Sequence, residues 1–192
     1  MAEDDQKTGT SAAHKWFFET RYWLRDLILT VLLSFIVIVF LYQPVQVEGT
    51  SMMPEVTNHQ RIFINKFIYH FKPIRRGDIV VFWHRTPEAD LTGRPPVSYI
   101  KRVVGMPGEW VALRDGRVFI DGKPLTETYI PLQYFDHQDY GPFQVEADHY
   151  FVLGDHREAS NDSRMWGTVD RRDIYGKAVF VYWPLREMGM LK

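Results

Sequence analysis

The sequence predicts a mostly β fold, in which an N-terminal transmembrane helix is followed by a folded antiparallel β-sheet or barrel-like domain. Three observations lead there. One uncharged apolar run, Leu27–Tyr42, stands near the N-terminus. Beyond Pro44 the chain breaks into short β-branched and aromatic runs separated by turn signals, two of them Asp-Gly pairs at Asp115-Gly116 and Asp121-Gly122. No stretch after residue 45 sustains helical periodicity.

The apolar run comes first in the chain. LILTVLLSFIVIVFLY has Thr30 and Ser34 as its polar interruptions. At ~1.5 Å per residue it is slightly shorter than a hydrocarbon core, and Trp23 and Leu24 extend it if Arg25 snorkels toward the headgroups. Trp16, Tyr22, Trp23 and Tyr42 are placed for the two interfaces. A cleavable leader would need a small-x-small site next, and QPVQVEGTS offers none. A buried helix of a soluble core is the competing reading. Lys15, Arg21 and Arg25 precede the run, and no Lys or Arg follows until Arg61, so the positive-inside rule puts the N-terminus in the cytoplasm. The expected divisions are a cytoplasmic segment 1–26, a span 27–43 and an extracytoplasmic β-rich domain 44–192.

Residues 1–10 are polar and small and read as disordered, and 14–26 read as a helical lead-in. Further on, strands are expected at Arg61–Ile68, Asp78–Trp83, Val111–Arg114 with Arg117–Ile120, His149–Leu153 and Lys177–Trp183. Glu88–Pro96 reads as a surface loop, and Tyr129–Gln144 as a strand-poor excursion.

Composition narrows the function classes. Net charge is −1 and 45% of the residues are hydrophobic, so neither a nucleic-acid field nor a disordered chain is indicated. Cysteine is absent, which removes thiolate zinc sites, cysteine nucleophiles and disulfide frameworks. Asp136-His137-Gln138-Asp139 could ligate a cation, but exposed loop polarity explains it as well. No His-Glu-x-x-His run and no phosphate loop occurs. No metal and no cofactor is expected.

Three segments carry candidate chemistry. Ser51 lies in Glu48-Gly-Thr-Ser-Met-Met-Pro54, on a turn that Gly49 loosens and Pro54 fixes. Lys101 lies in Tyr99-Ile-Lys-Arg-Val-Val-Gly-Met-Pro-Gly-Glu109. Strand alternation puts it on one face with Val103 and turns Arg102 away, and burial would lower its pKa and make it a base. Gly154–Gly167 is dense in hydrogen-bonding groups, with Asp155, Arg157, Asp162 and Arg164 able to pair around a site. Each also has an ordinary reading: a loop serine, a snorkelling lysine and a solvated loop.

Taken in order, these segments resemble the type I signal peptidase family. Ser51-Met-Met-Pro54 matches its nucleophile box, Arg76-Gly-Asp-Ile-Val-Val-Phe82 its Arg-Gly-Asp strand, and Lys101–Glu109 its lysine box. Gly154–Gly167 is similar to its last polar box, and the resemblance runs from about Arg25 to Pro184. It implies a serine endopeptidase that removes signal peptides after Ala-x-Ala through an acyl-enzyme. Ser51 would be the nucleophile and Lys101 the general base. Ser160 would orient the lysine amine, Asp162 and Arg164 would form a supporting ion pair, and Asp155 would be a structural carboxylate. The Ser51 N–H would be one oxyanion donor. Val47, Met52, Tyr99 and Ile100 match positions that line shallow pockets for small side chains.

The implied partners are the signal peptides of exported preproteins and the lipid bilayer, not nucleic acid. The implied location is the bacterial plasma membrane, crossed once. Gly49 departs from relatives that carry a serine oxyanion donor there, His156 and Ala159 replace usual asparagines, and Glu55 replaces a common threonine. Rival readings are a Ser51–His156 pair, a self-cleaving regulator and a tethered β module without catalysis.

Overall fold

The computed structural model describes residues 20–35, 42–84, 93 and 95–192. The start expected to be disordered, residues 36–41 of the expected span and most of the 88–96 stretch lie outside the described residues. The chain divides into two units, Met1–Leu41 and Tyr42–Lys192.

In the first unit, residues 20–35 form a helix, α1. Its large apolar side chains are exposed, Trp23 at 81% and Leu33 at 64%. The Thr30 hydroxyl donates to the Asp26 carbonyl at 2.8 Å, so this polar interruption is satisfied within the helix. Among the described residues no helix is long and apolar enough to cross a membrane.

The second unit is mostly β. Its larger sheet contains β1 (Tyr42–Gln46), β2 (Arg61–Asn65), β3 (Ile79–His84), β4 (Val97–Gly105), β9 (His149–Leu153), β10 (Val169–Asp170), β11 (Ile174–Trp183) and β12 (Gly189–Met190). The order is β1-β2-β11-β3-β4-β9-β10, with β12 on the side of β11. A smaller sheet is ordered β7-β6-β5-β8, from β5 (Trp110–Arg114), β6 (Arg117–Ile120), β7 (Lys123–Pro124) and β8 (Tyr140–Gln144). The described pairings are antiparallel. The expected barrel-like closure is not found. β1 and β10 end the larger sheet with one neighbour each, so the sheet is open.

Local chemistry explains these elements. Both Asp-Gly pairs take positive φ, 46° and 74° at Asp115 and Gly116, and 50° and 77° at Asp121 and Gly122. Two tight hairpins follow, β5–β6 and β6–β7. β2 stops earlier than its apolar pattern suggests. The Asn65 side chain accepts from the N–H groups of Phe67 and Ile68, at 3.0 Å each, and starts the short helix α2 (Ile68–Phe71). β8 lies in Tyr129–Gln144, which reads from the sequence as a strand-poor excursion. It is an end strand of its sheet, where proline needs no ladder donor.

The run Ile-Val-Val-Phe in β3 lacks alternation because both its faces are buried. Ile79 and Val81 join a cluster with Val47, Met52, Ile62 and Ile64, while Val80 and Phe82 join one with Val103, Val152 and Ile174. A third cluster, including Val104, Val111, Leu113 and Phe151, holds the smaller sheet against β9.

Candidate active site

Ser51 sits on the turn between β1 and β2. Beside it Met52 is 1% exposed and plugs the first core cluster, which anchors the turn at a gain of roughly 2 kcal/mol. Gly49 has φ +100° and donates to Asn58 Oδ1 at 2.9 Å. Any side chain there would be strained. The Met53 N–H closes back on the Thr50 carbonyl at 3.1 Å, and the Ser51 carbonyl accepts from the His156 N–H at 3.0 Å. Among the described residues the Ser51 N–H has no intramolecular partner.

Lys101 stands on β4 and is 3% exposed. Its Nζ lies 2.6 Å from Ser51 Oγ, and the Tyr99 ring centre is 5.7 Å from the same nitrogen. Burial lowers the Lys101 pKa from 10.5 to about 8. The fields of Asp162 and Asp155 oppose that fall, and Arg164 assists it. A buried amine within hydrogen-bond reach of one hydroxyl is an arrangement in which the amine can take the hydroxyl proton.

The segment 154–167 supplies the scaffold behind this pair. Asp162 caps the four-residue helix α3 (Ser163–Trp166), accepts from the Gly154 N–H at 3.1 Å, and pairs with Arg164 Nε at 2.8 Å. Arg164 also pairs with Asp136 and donates to the Arg157 carbonyl at 2.7 Å. Like the Arg164–Asp136 pair, two further ion pairs reach outside the segment. Asp155 is gripped by Arg102 through two bonds of 2.8 and 2.6 Å, and Arg157 pairs with Glu127. Burial pushes the Asp155 carboxyl up, and the Arg102 bonds oppose that penalty. Gly154 is required by close packing. A Cβ there would come within 2.2 Å of Ser160 Oγ and 2.5 Å of the Ser51 carbonyl oxygen.

Not every residue singled out from the sequence is brought to the pair. Ser160 Oγ is buried beside Gly154 but has no hydrogen-bond partner among the described residues, so it does not hold the lysine amine in this geometry. His156 contributes its main-chain N–H to the Ser51 turn. Its ring packs edge-on against Tyr134, with centroids 4.8 Å apart, and Nδ1 is buried without a partner among the described residues. Val47, Tyr99 and Ile100 line a groove of about 720 Å³ that ends at Ser51 and Lys101. Met52 does not line it, because its side chain points into the core.

In the 136–139 cluster, Asp136 serves Arg164, His137 Nδ1 meets Asp115 Oδ1 at 2.9 Å, and Asp139 accepts from the Asp115 N–H at 2.9 Å. Sequence reasoning missed Arg102, Glu127 and Tyr129. The Tyr129 ring covers the Arg102 guanidinium at 4.1 Å, and its hydroxyl donates to Glu127 at 2.6 Å. Apart from the Tyr129–Glu127 bond, the partners are distant in the chain, Arg102 with Asp155 and Tyr129, and Glu127 with Arg157, so no local pattern announced them.

The groove has two open strand edges. β4 pairs with β3 from Val97 to Arg102, but with β9 only from Arg102 onward. Among the described residues Val97–Lys101 therefore keep one edge free. β1 is the end strand of the sheet, and it lines the groove from the other side. Since β2, β11 and β3 separate β1 from β4 in the ladder, the open sheet is strongly curled.

Comparison with known proteins adds the following. Residues 20–183 match the family described as "Signal peptidase, peptidase S26". Signal peptidase I of Leptolyngbya laminosa is 42% identical over 167 residues, covering 85% of this chain and 79% of that one. Signal peptidase I T of Bacillus subtilis is 34% identical over 201 residues, covering 100% of both. A crystal structure of a signal peptidase I from Enterococcus faecalis aligns at 30% identity with a TM-score of 0.43, covering 55% of this chain and 97% of that one.

Proposed function

Since the chain belongs to the signal peptidase S26 family, whose members are hydrolases that remove signal peptides, we propose that Ser51 and Lys101 are its catalytic dyad and that it cuts after small-x-small sites. The observation that carries this reading is the 2.6 Å contact between Ser51 Oγ and a buried amine whose pKa lies at about 8.

The neutral Lys101 amine accepts the Ser51 proton as Oγ attacks the scissile carbonyl. The unpartnered Ser51 N–H is positioned to stabilise the oxyanion. The C–N bond then breaks, and the charged Lys101 gives its proton to the departing amine, leaving an ester on Ser51. Water activated by the same amine hydrolyses that ester and restores both groups.

An extended substrate would add to the free edges of Val97–Lys101 and β1, by main-chain hydrogen bonds that read no side chain. Val47, Tyr99 and Ile100 leave shallow space beside the dyad, which favours small residues there. The apolar side chains exposed on α1, and the uncharged apolar sequence that runs from Leu27 to the start of β1, suit a single membrane span with the catalytic unit outside the cytoplasm. The substrate's own apolar segment in the same bilayer would then deliver the bond, so tethering substitutes for tight peptide recognition.

The deciding experiment is cleavage of a preprotein with an Ala-x-Ala site by full-length protein in lipid or detergent. Ser51→Ala and Lys101→Ala, each shown to be folded, are expected to lose turnover, while His156→Ala retains it. Turnover surviving Lys101→Ala would refute the dyad. Loss with His156→Ala alone would favour the histidine pairing.

A further inference from the structure

We propose that residues 185–192 form a positioning strap that sets the Ser51 turn against the Lys101 strand. This rests on the dyad reading and adds a device that holds its two halves in register.

The path of the segment carries the argument. After β11 the chain makes a short 3-10 turn, Leu185–Glu187, and Glu187 Oε2 accepts from Gln60 Nε2 at 2.7 Å. Gln60 is 6% exposed and closes the nucleophile loop, since its carbonyl accepts from the Val47 N–H at 2.9 Å and its Oε1 from the Thr57 N–H at 2.9 Å. Gly189 and Met190 then pair with β11 as β12, and the Leu191 N–H donates to the Val179 carbonyl at 3.0 Å. The Leu191 side chain packs on the core cluster that contains Met52 and Val56. Lys192 completes the path with two bonds. Its N–H donates to Glu55 Oε1 at 2.6 Å, and its main-chain oxygen accepts from Arg102 Nη1 at 2.5 Å.

One short segment thus touches the nucleophile turn at Glu55 and Gln60 and the lysine strand at Arg102, the neighbour of Lys101. Arg102 is 1% exposed and already fixed by Asp155, so its end of the strap is rigid. The arrangement also gives a role to Glu55. Its carboxylate reaches across the chain to the Lys192 N–H. A displacement of about 1 Å between Ser51 Oγ and Lys101 Nζ would cost on the order of a hundredfold in rate without altering substrate binding.

The test uses full-length protein in detergent, with kcat, KM and melting temperature measured for each variant. Glu55→Ala is expected to lower kcat by about ten- to a hundredfold while KM stays within about twofold. Glu55→Gln keeps an acceptor for the Lys192 N–H and is expected to retain most of the parental kcat. Gln60→Glu sets two carboxylates together and is expected to lose rate, whereas Gln60→Glu combined with Glu187→Gln exchanges the amide and the carboxylate and restores it. The exchanged pair remains decisive if Glu55→Ala fails to fold.

Parental kcat in Glu55→Ala, failure of the exchange to restore rate, or a loss of kcat that only tracks the folded fraction would overturn the strap. Those results leave the dyad standing so long as Ser51→Ala is inactive. An active Ser51→Ala would instead remove the reading on which the strap depends.

Discussion

Replacing Lys101 by methionine is expected to make the protein more stable at neutral pH while abolishing turnover. The amine is 3% exposed, and burial moves its pKa from 10.5 to about 8. At roughly 1.4 kcal/mol per tenfold, holding a charged Lys101 in the fold costs about 3 kcal/mol at pH 7. Methionine fills a similar volume and removes that cost. It also removes the bond to Ser51 Oγ, worth about 1 kcal/mol.

The net gain expected is about 1–3 kcal/mol, and a few degrees in melting temperature for a chain of this length. The pH dependence makes the test specific. Because the folded pKa lies below the unfolded one, the unfolded chain binds more protons between pH 8 and 10.5, and the parent gains stability as pH rises through that window. The methionine variant lacks this contribution, so its advantage is expected to shrink to nothing by about pH 10.5. Chemical denaturation of both proteins at several pH values measures it. A variant less stable than the parent at pH 7, or a gap that does not close with pH, would refute the claim that burial penalises the charged amine.

Four further outcomes follow from the same geometry. The rate of cleavage is expected to rise with pH through about 8 as Lys101 loses its proton, leaving about a tenth of the amine neutral at pH 7, and a flat pH–rate profile would contradict the base assignment. Gly154→Ala drives a Cβ into Ser160 Oγ and the Ser51 carbonyl oxygen, so kcat is expected to fall about tenfold or more, and adding Ser160→Ala is not expected to restore it, because Ser160 Cβ at 2.6 Å and the Ser51 carbonyl oxygen at 2.5 Å stay in the way. Asp155→Ala leaves the buried Arg102 guanidinium without its carboxylate and is expected to cost about 3–5 kcal/mol in denaturant unfolding. Gly49→Ala is expected to cost about 1 kcal/mol from its φ of +100°, measured in the same way.

The legible parts of the molecule were those written locally. Asp115-Gly116 and Asp121-Gly122 announced their hairpins because positive φ selects those residues. The order of boxes pointed to Ser51 and Lys101, which the fold brings within 2.6 Å. What stayed hidden was fixed by partners far along the chain. Alternation placed Arg102 away from Lys101 and said nothing of its burial, which depends on Asp155 and Lys192. Arg157 was grouped with its own segment, yet it pairs with Glu127. The resemblance placed Met52 in a pocket, but the turn directs it inward. β8 was hidden within the strand-poor stretch 129–144, and it tolerates Gly141-Pro142 because it is an end strand. Openness of the larger sheet depends on which strands meet, and no single strand's pattern encodes that.

The His156 N–H that holds the Ser51 carbonyl belongs to the backbone, and so does the Ala159 N–H that closes the bend on the His156 carbonyl. Residue identity at these two sites is therefore a nearly free parameter, and only proline, which has no N–H to give, is barred. Asparagine, histidine or alanine at either site would supply the same N–H and leave the hold on the Ser51 carbonyl intact. Neighbours such as Asp155 and Arg157, whose grip is made by side chains, cannot change alone.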